Sequence, residues 1–243
     1  MNDVISYPPI IDTWSVHMLL REIKMFDPLP GNMWIGIHDE PENTIEKYIL
    51  DSFDMYLSKE YPTAVGLEWW FHIFKEDDKM LAFHSDHDEM IRRETGEMKF
   101  PLRSTVTYIN SENLSPTILL DSKCKGEHEK NVSPFPPTKC YFSLPEEGKF
   151  ITFNPRCIHG VLPESQGRIT LMYNVWDYRP DALNRIGHGT HISNCRFTVE
   201  SGAVPTHWLG DTFRIEVDCL EQRLSMRGPK GANNEGDTWV VDQ

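Results

Sequence analysis

The chain has 243 residues, of which 39% are hydrophobic and 25% are charged, and its formal net charge is −13. These proportions are ordinary for a globular protein, and the length fits one large domain that can bury a core without disulfides. The negative charge argues against a nucleic-acid partner or an anionic membrane partner, because neither would attract it. No run approaches the roughly 20 apolar residues that a membrane span requires.

The five cysteines are odd in number, scattered and without C-x-x-C spacing. This pattern favours reduced thiols, and with no signal-like segment at the start we expect a cytoplasmic protein. Cys157 lies two residues before His159 and resembles a ligand by position. Free cysteine is usually buried, so we interpret Cys157 as a small core residue instead.

Two stretches near the start carry helical patterns. Residues 14–25 form a short apolar helix candidate that Asp12 or Thr13 could cap. In residues 44–60 apolar side chains recur at spacings of three and four, which predicts an amphipathic helix. We assign residues 1–65 to an N-terminal helical region that packs across the outside of a sheet.

Residues 66–180 contain a run of short strands separated by turns and polar loops. The sequence predicts a strand at 68–74 with 80–83 as its hairpin partner, and loops at 90–103 and 123–139. Further strands are expected at 103–110, 116–121, 150–153 and 168–176. The pattern favours a mainly β fold, a double-stranded β-helix or jelly roll, with the N-terminal helices packed on one sheet.

After residue 180 the regularity weakens, and we treat residues 181–243 as a C-terminal extension of a single domain spanning 1–243. Residues 213–217 alternate like a further strand, and residues 227–237 have the composition of a flexible tail or long loop. His188 and His191 have metal-like spacing but lie in a glycine-rich stretch without a nearby carboxylate. We therefore predict no metal site there.

A candidate metal site centres on His84 and Asp86, which follow the apolar run ending at Phe83. Side chains alternate along an extended strand, so these two project to the same side. With one further histidine they would occupy one face of an octahedral metal and leave the other positions open. That arrangement is associated with non-haem Fe(II) oxygenases. His159, between two strand-like runs, is the candidate for the third ligand.

A second pair, His87 and Glu89, has the same spacing as the first. It would point to the opposite face of the strand if the strand continued. We favour His84 and Asp86 as ligands because they follow the apolar run directly.

The predicted strand at 168–176 has one apolar face and one partly polar face. Arg168, Thr170 and Asn174 share the polar face with Met172 and Trp176. A polar inner face is costly unless it lines a ligand site, although a half-exposed strand with its polar side in solvent is the alternative. Two residues of the strand at 68–74 share one face and could line the same pocket, namely Trp70 and His72. The candidate substrate-pocket residues are thus Trp70, His72, Asn174 and Trp176.

The order and spacing of these residues resemble the Fe(II)/2-oxoglutarate-dependent dioxygenase superfamily, and within it the prolyl-hydroxylase-like branch. The resemblance covers about residues 68 to 177. It departs from the family's pattern before Thr117, where Leu114-Ser115-Pro116 replaces the two glycines that relatives often have. The motifs that carry it are, in chain order, His84-x-Asp86, Tyr108-Ile109-Asn110, Pro116-Thr117, Pro145-x-x-Gly148, Phe153, His159-Gly160-Val161 and Arg168-x-Thr170.

The resemblance implies an oxidoreductase that binds Fe(II) through His84, Asp86 and His159. Such an enzyme uses O₂ and decarboxylates 2-oxoglutarate to succinate while it oxidises a C–H bond. The resemblance further implies that Arg168 pairs with the distal carboxylate of 2-oxoglutarate, helped by Thr170 and Tyr108. Because the family loses the carboxylate ligand in halogenases, Asp86 argues against halogenation.

Two substrate classes stay open. A small molecule such as an amino acid or a natural-product intermediate is our first expectation, because the chain lacks any peptide-recognition module. A protein or peptide side chain is the alternative. The sequence does not distinguish hydroxylation from desaturation or ring formation, and it indicates no oligomeric state.

Other classes of protein fit the motifs less well. A zinc hydrolase would leave the strand with Arg168 and Thr170 unexplained. A cupin-type metalloprotein would normally have a histidine at the position of Asp86. A non-catalytic jelly-roll metal-binding module would not need all three ligands.

Overall fold

A computed structural model of the chain describes residues 3–75, 81–110, 115–126, 132–135, 137–161, 166–181, 183–187 and 192–198, and the backbone of three strands near the C-terminus. The helices are α1 (Thr13–Phe26), α2 (Thr44–Tyr56) and α3 (Glu89–Thr95). The strands are β1 (Val4–Pro9), β2 (Met33–Gly36), β3 (Gly66–Ile73), β4 (Leu81–His84), β5 (Arg103–Tyr108), β6 (Thr117–Cys124), β7 (Val132–Ser133), β8 (Cys140–Ser143), β9 (Lys149–Phe153), β10 (Cys157–Val161), β11 (Ile169–Trp176), β12 (Arg214–Asp218), β13 (Arg223–Arg227) and β14 (Trp239–Val241).

Two antiparallel sheets form the body of the molecule. The larger has six strands in the order β1-β9-β5-β11-β3-β2, and the smaller has five, β4-β10-β6-β7 with β8 also paired to β6. Apolar residues from both sheets meet in one cluster between them, for example Val106 and Met172 from the larger and Leu119 from the smaller. This is the predicted jelly roll. The strands β12, β13 and β14 form a third sheet.

Helices α1 and α2 cover the outer face of the six-stranded sheet, as predicted. Their apolar faces share one buried cluster with β3 and β11, in which Leu19 and Ile49 lie together with Trp69 and Tyr173. Asp12 caps α1 by accepting a hydrogen bond from the Ser15 amide, and Asn43 caps α2 in the same way through Glu46. Helix α2 ends at Tyr56, four residues before the predicted end.

Strand β11 is buried along its whole length. Its odd-numbered residues pack with the helices, and the even-numbered ones face the space between the two sheets. The alternative of a solvent-facing polar side is thus excluded for this strand. The polar residues predicted to line a ligand site lie in the interior.

Several sequence predictions about local structure were wrong, and one of them is the predicted loop at 123–139, which contains the end of β6 and the two-residue β7. The run that includes β4 does not form a hairpin with β3, because β4 pairs with β10 in the other sheet. The predicted loop at 90–103 contains α3, which Asp88 caps and which ends at Gly96 with a φ of 78°. The N-terminal region also supplies β1 and β2, which form the two edges of the six-stranded sheet.

The remaining predictions concern the cysteines, the C-terminal segments and membrane spans. Cys157 is fully buried, like Cys124 and Cys140, and none of the three is in a disulfide. The strand predicted at 213–217 corresponds to β12. The histidine pair at 188 and 191 and most of the tail at 227–237 lie outside the described residues. Among the described residues, none of the helices has the length and apolar character that crossing a membrane requires.

The start of β3 offers a test of the packing. A Cβ added at Gly66 would lie 2.1 Å from Cζ2 of the buried Trp34 on β2. We expect Gly66→Ala to lower the free energy of unfolding by about 1–3 kcal/mol, because the indole ring must move within a packed edge of the sheet. Urea unfolding measures the change.

The matched control is Gly187→Ala, where an added Cβ meets nothing within 4 Å. We expect that variant to stay within about 0.5 kcal/mol of the wild type. Equal stability of the two variants would contradict the packing of Trp34 on Gly66.

Candidate metal centre

Three side chains converge at the end of the five-stranded sheet. His84 closes β4, His159 lies in β10, and the two residues are directly paired across the strands. Asp86 follows β4, and its Oδ1 lies 3.6 Å from Nε2 of each histidine. The ligand atoms of the three residues all lie within 4.8 Å of one another. Two ligands each roughly 2.1 Å from one ion can lie up to about 4.2 Å apart, so both 3.6 Å separations fit a shared metal.

The loop after β4 is held by backbone contacts. The amide of Asp86 donates to the carbonyl of Pro155 at 3.0 Å, and the amide of Asp88 donates to that of Lys99 at 2.8 Å. These bonds join the loop to the segment before β10 and to the segment before β5. Asp86 is therefore positioned by the backbone and not by strand alternation, since β4 ends at His84.

His159 has the tautomer that metal binding requires. Its Nδ1 lies 2.9 Å from the carbonyl of Cys157, and since a carbonyl can only accept, Nδ1 carries the proton. Nε2 then presents its lone pair towards Asp86. Burial lowers the pKa of His159 to about 4 despite the opposing effect of Asp86, so the ring is neutral near pH 7. A neutral ring is the form that binds a metal.

Asp86 is ionised under the same conditions. Burial alone would raise its pKa, but His159 and His84 outweigh that effect and lower the pKa to about 2. The site thus presents two imidazole nitrogens and one carboxylate. This donor set suits a first-row divalent metal such as Fe(II).

The competing pair lies elsewhere. His87 Nδ1 donates to the carbonyl of Ser85 at 2.8 Å, and its Nε2 lies 3.2 Å from Glu89, which belongs to α3. Asp88 between them caps α3 and accepts from the Tyr178 hydroxyl at 2.9 Å. This segment anchors the loop and the helix beside the metal centre.

A cavity of about 100 Å³ runs between the two sheets from the metal centre. Of the residues predicted from the sequence, seven line it: His84, Asp86, His159, Arg168, Thr170, Trp70 and His72. Apolar side chains complete its wall, among them Phe74, Val106, Phe153 and Met172. The cavity therefore joins a metal-ligating group to a cationic one within an apolar enclosure.

Arg168 is 2% exposed and has an unusual set of neighbours. Its guanidinium donates to Oγ1 of Thr117 at 2.6 Å and lies 5.3–5.4 Å from the ring centres of Tyr108 and Phe74. Its Nε has no hydrogen-bond partner within the described part of the chain, and no described carboxylate pairs with it. A buried cation without a counter-ion is costly unless a ligand supplies the negative charge.

Tyr108 lies behind Arg168 and outside the cavity lining. Its hydroxyl donates to Oγ1 of Thr117 at 2.8 Å and lies 2.9 Å from the carbonyl of Ser143. Thr117 therefore connects Tyr108 to the guanidinium. Asn110 holds the start of β11 by bonding the amide of Ile169 and the carbonyl of Gly167. Together these residues fix the direction of Arg168.

The two remaining pocket candidates lie at the other end of the same sheet face. Asn174 and Trp176 do not line the cavity; both donate to Oε2 of the buried Glu68, at 3.5 and 2.9 Å. Burial raises the pKa of Glu68, and the nearby Asp86 adds to the effect. Three neutral donors oppose the rise, since Asn32 also donates to Oε1 at 2.7 Å.

Sequence reasoning did not assign roles to Glu68 or Thr117. Thr117 stood within a family motif, and Glu68 was a single acidic residue directly before Trp69 in a predicted strand. Its isolation in an otherwise apolar run was the available signal.

The chain was compared with family models, curated proteins and solved structures. No family model matches the chain, and no curated protein matches it. Solved structures do match. They include a Pseudomonas putida prolyl-4-hydroxylase (16% identity, 72% of this chain and 88% of that one, TM-score 0.48). HygX from Streptomyces hygroscopicus with iron bound gives 13% identity, 77% and 92% coverage and a TM-score of 0.43. EctD from S. alaskensis, with 2-oxoglutarate and 5-hydroxyectoine, has 13% identity and a TM-score of 0.47. The match covers 78% of this chain and 82% of that one.

These likenesses concern the fold. At such identities the function has to be argued from the side chains of this chain, and the observations that bear on it are the three convergent ligands and the buried arginine.

The metal centre can be tested by removing one ligand at a time. Alanine at His84, Asp86 or His159 should weaken Fe(II) or Mn(II) binding by about 10-fold or more, because each substitution removes one donor. Equilibrium dialysis against the metal measures the loss.

His87→Ala is the matched control, because it removes a neighbouring histidine whose contacts are to Ser85 and Glu89. It should retain most of the metal affinity. Losses as large for His87→Ala as for His84→Ala would show that the wrong histidine has been chosen.

Proposed function

We propose that the protein is a non-haem Fe(II)- and 2-oxoglutarate-dependent dioxygenase that oxidises a C–H bond of a small molecule, with decarboxylation of 2-oxoglutarate to succinate. The observation that carries the proposal is the buried Arg168, which lacks a described counter-ion and shares one cavity with the His84, Asp86 and His159 cluster. A metal alone would not explain the arginine.

The three ligands would hold the iron and leave its other positions free for the 2-oxo acid and O₂. When bound, the iron supplies the oxidising chemistry with O₂ and 2-oxoglutarate. The chain's own contribution is to keep His159 neutral and oriented through the Cys157 carbonyl and to keep Asp86 ionised. Both conditions hold near neutral pH before any metal arrives.

Arg168 would hold the far carboxylate of 2-oxoglutarate. A guanidinium offers several N–H donors in one plane, and the bond to Thr117 leaves Nε available. Thr170 lines the same wall two residues along β11 and can add a hydroxyl. Tyr108 supports the pair through Thr117. In this arrangement the cosubstrate would bridge the arginine and the metal.

The apolar wall has a separate role. Phe74, Phe153 and Met172 border the route between the arginine and the metal ligands. They exclude water from it, so that charged hydrogen bonds within the cavity are stronger than they would be in solvent. The same exclusion protects a reactive centre from side reactions.

The proposal predicts a specific defect for Arg168→Ala. The variant should bind 2-oxoglutarate tens to hundreds of times more weakly, because each charged hydrogen bond contributes about 1.5–3 kcal/mol and 1.4 kcal/mol is a factor of ten. Metal binding should be nearly unchanged, since the arginine is not a ligand. The measurement is an anaerobic titration of the Fe(II) protein with 2-oxoglutarate, followed by the metal-to-ligand charge-transfer band.

Arg156→Ala is the control, because that arginine lies outside the cavity and stacks on Phe100. Its titration should match that of the wild type. The absence of a charge-transfer band in the wild-type protein would overturn the proposed function. A normal band with unchanged affinity in Arg168→Ala would mean that the carboxylate is held elsewhere.

A second candidate function is the oxidation of a protein or peptide side chain. The observation in its favour is an open cleft of about 670 Å³ on the far side of the Asp86 loop, lined by residues of the 98–103 segment, by Pro155 and Arg156, and by Tyr178. Its size suits an extended chain. The enclosed cavity beside the metal favours the small molecule.

Succinate formation with a panel of amino acids and a panel of peptides separates the two. We expect turnover above background with members of the first panel. Stimulation only by peptides, lost when the cleft is altered by Phe100→Ala, would favour the second candidate.

A further inference from the structure

The carboxylate of Glu68 is buried with neutral partners only. The residue is 9% exposed, and the described groups that hydrogen-bond to it are the side-chain nitrogens of Asn32, Asn174 and Trp176. No described lysine, arginine or histidine forms an ion pair with it. The ionised form of a buried carboxylate is costly unless a cation compensates it.

A second polar atom beside it is also incomplete. Asn174 is 4% exposed and directs Nδ2 to Glu68, while its Oδ1 is buried and finds no partner in the described part of the chain. Buried polar groups are nearly always satisfied in a folded protein, so an orphaned acceptor next to an uncompensated carboxylate indicates a missing donor. One ammonium group carries three donors and a positive charge, and could satisfy both.

The position of this pair suits a substrate. Glu68 and Asn174 face each other across β3 and β11, and the residues two positions further along, Trp70 and Met172, line the cavity. On the other side of β11, Asn174 is paired with Ser104, which lies close to Asp86. The pair therefore adjoins the metal centre. Along β11 it lies roughly 20 Å from Arg168, at about 3.3 Å per residue.

We propose that Glu68 and Asn174 form the recognition subsite for the substrate, and that the substrate is a small molecule carrying a protonated amine. This inference rests on the proposed function, because it names the class of substrate that the proposed dioxygenase would oxidise. With its ammonium on Glu68, a ligand would place the neighbouring carbons beside Trp70 and Asp86. Trp70 offers an aromatic face on that path.

A purely structural role explains less. If Glu68 only accepted hydrogen bonds from Asn32 at one oxygen and from Trp176 at the other, both oxygens would be used but the ionised carboxylate would have no compensating charge. A neutral hydroxyl on the ligand would satisfy Asn174 but leave the carboxylate uncompensated. A cationic ligand accounts for both atoms.

The test uses protein loaded with Zn(II) in place of iron and saturated with 2-oxoglutarate, so that Arg168 is occupied. Ligand-observed NMR measures the binding of monoamino acids, butylamine and ethanolamine, each paired with its N-acetyl derivative, which lacks the ammonium charge. We expect at least one amine to bind about tenfold or more tightly than its N-acetyl form. Glu68→Gln should remove that preference and leave the 2-oxoglutarate signals unchanged.

Glu22→Gln is the matched control, because Glu22 is a buried glutamate on α1, away from the cavity. It should keep the preference for amines. Asn174→Ala provides a second variant and should weaken amine binding by several-fold; if Glu68→Gln failed to fold, this variant and the paired ligands on the wild type would decide.

Two results would overturn the inference: no amine preferred over its N-acetyl form, or Glu68→Gln binding amines as the wild type does. If the wild-type protein did not bind 2-oxoglutarate, the proposed function would be refuted instead. The 2-oxoglutarate signals in the same spectra show whether it binds.

Discussion

Strand β11 is buried on both faces, and much of the molecule's organisation follows from that constraint. One face must be covered by something other than the second sheet, and α1 and α2 cover it with the cluster around Leu19, Ile49 and Tyr173. The alternate residues then have to lie between the sheets, whether or not they are apolar. Arg168, Thr170 and Asn174 are buried for this reason. Burying polar groups is costly unless they are bonded, so a ligand that bonds to them would offset the cost.

The inner face of the six-stranded sheet holds two ionisable groups of opposite type, Arg168 and Glu68, that have no ion-pair partner among the described residues. Arg168 and Glu68 are both buried, yet each is bonded to neutral groups and not to the other. Stability alone would favour pairing them or replacing both with apolar residues, since an isolated buried charge costs several kcal/mol. Holding them apart at the two ends of the face preserves each for an outside partner.

Parts of this arrangement could be predicted from the sequence because they depend on local periodicity. The alternation at 168–176 identified the polar face of β11, and spacings of three and four identified α2. The grouping of His84, Asp86 and His159 was predicted from motif order, and the structure brings these three side chains together. The seven-residue α3 was missed because it is too short to show a period, although Asp88 and Gly96 are ordinary helix-end signals.

Other parts depend on pairing between distant segments and could not be predicted. A short apolar run looks the same whether its partner is the preceding strand or one about 75 residues later, which is why β4 was assigned to a hairpin with β3. A single polar residue within a strand does not reveal which face is inner until the register is known. Glu68 and Thr117 were overlooked for that reason. The register of β3 with β11 places Glu68 opposite Asn174, which the sequence alone does not show.

The two kinds of group in the site come from different sheets. The metal ligands belong to β4, its following loop and β10 in the smaller sheet, whereas Arg168, Glu68 and Asn174 belong to the larger one. Their separation is therefore set by the side chains packed between the sheets, among them Val106, Leu119 and Phe153. Closely packed interiors transmit a change of even one methylene, so the size of these residues determines how far the metal lies from each charged end. In such a site the reach of a ligand from metal to anchor is fixed by apolar residues, several of which never touch it.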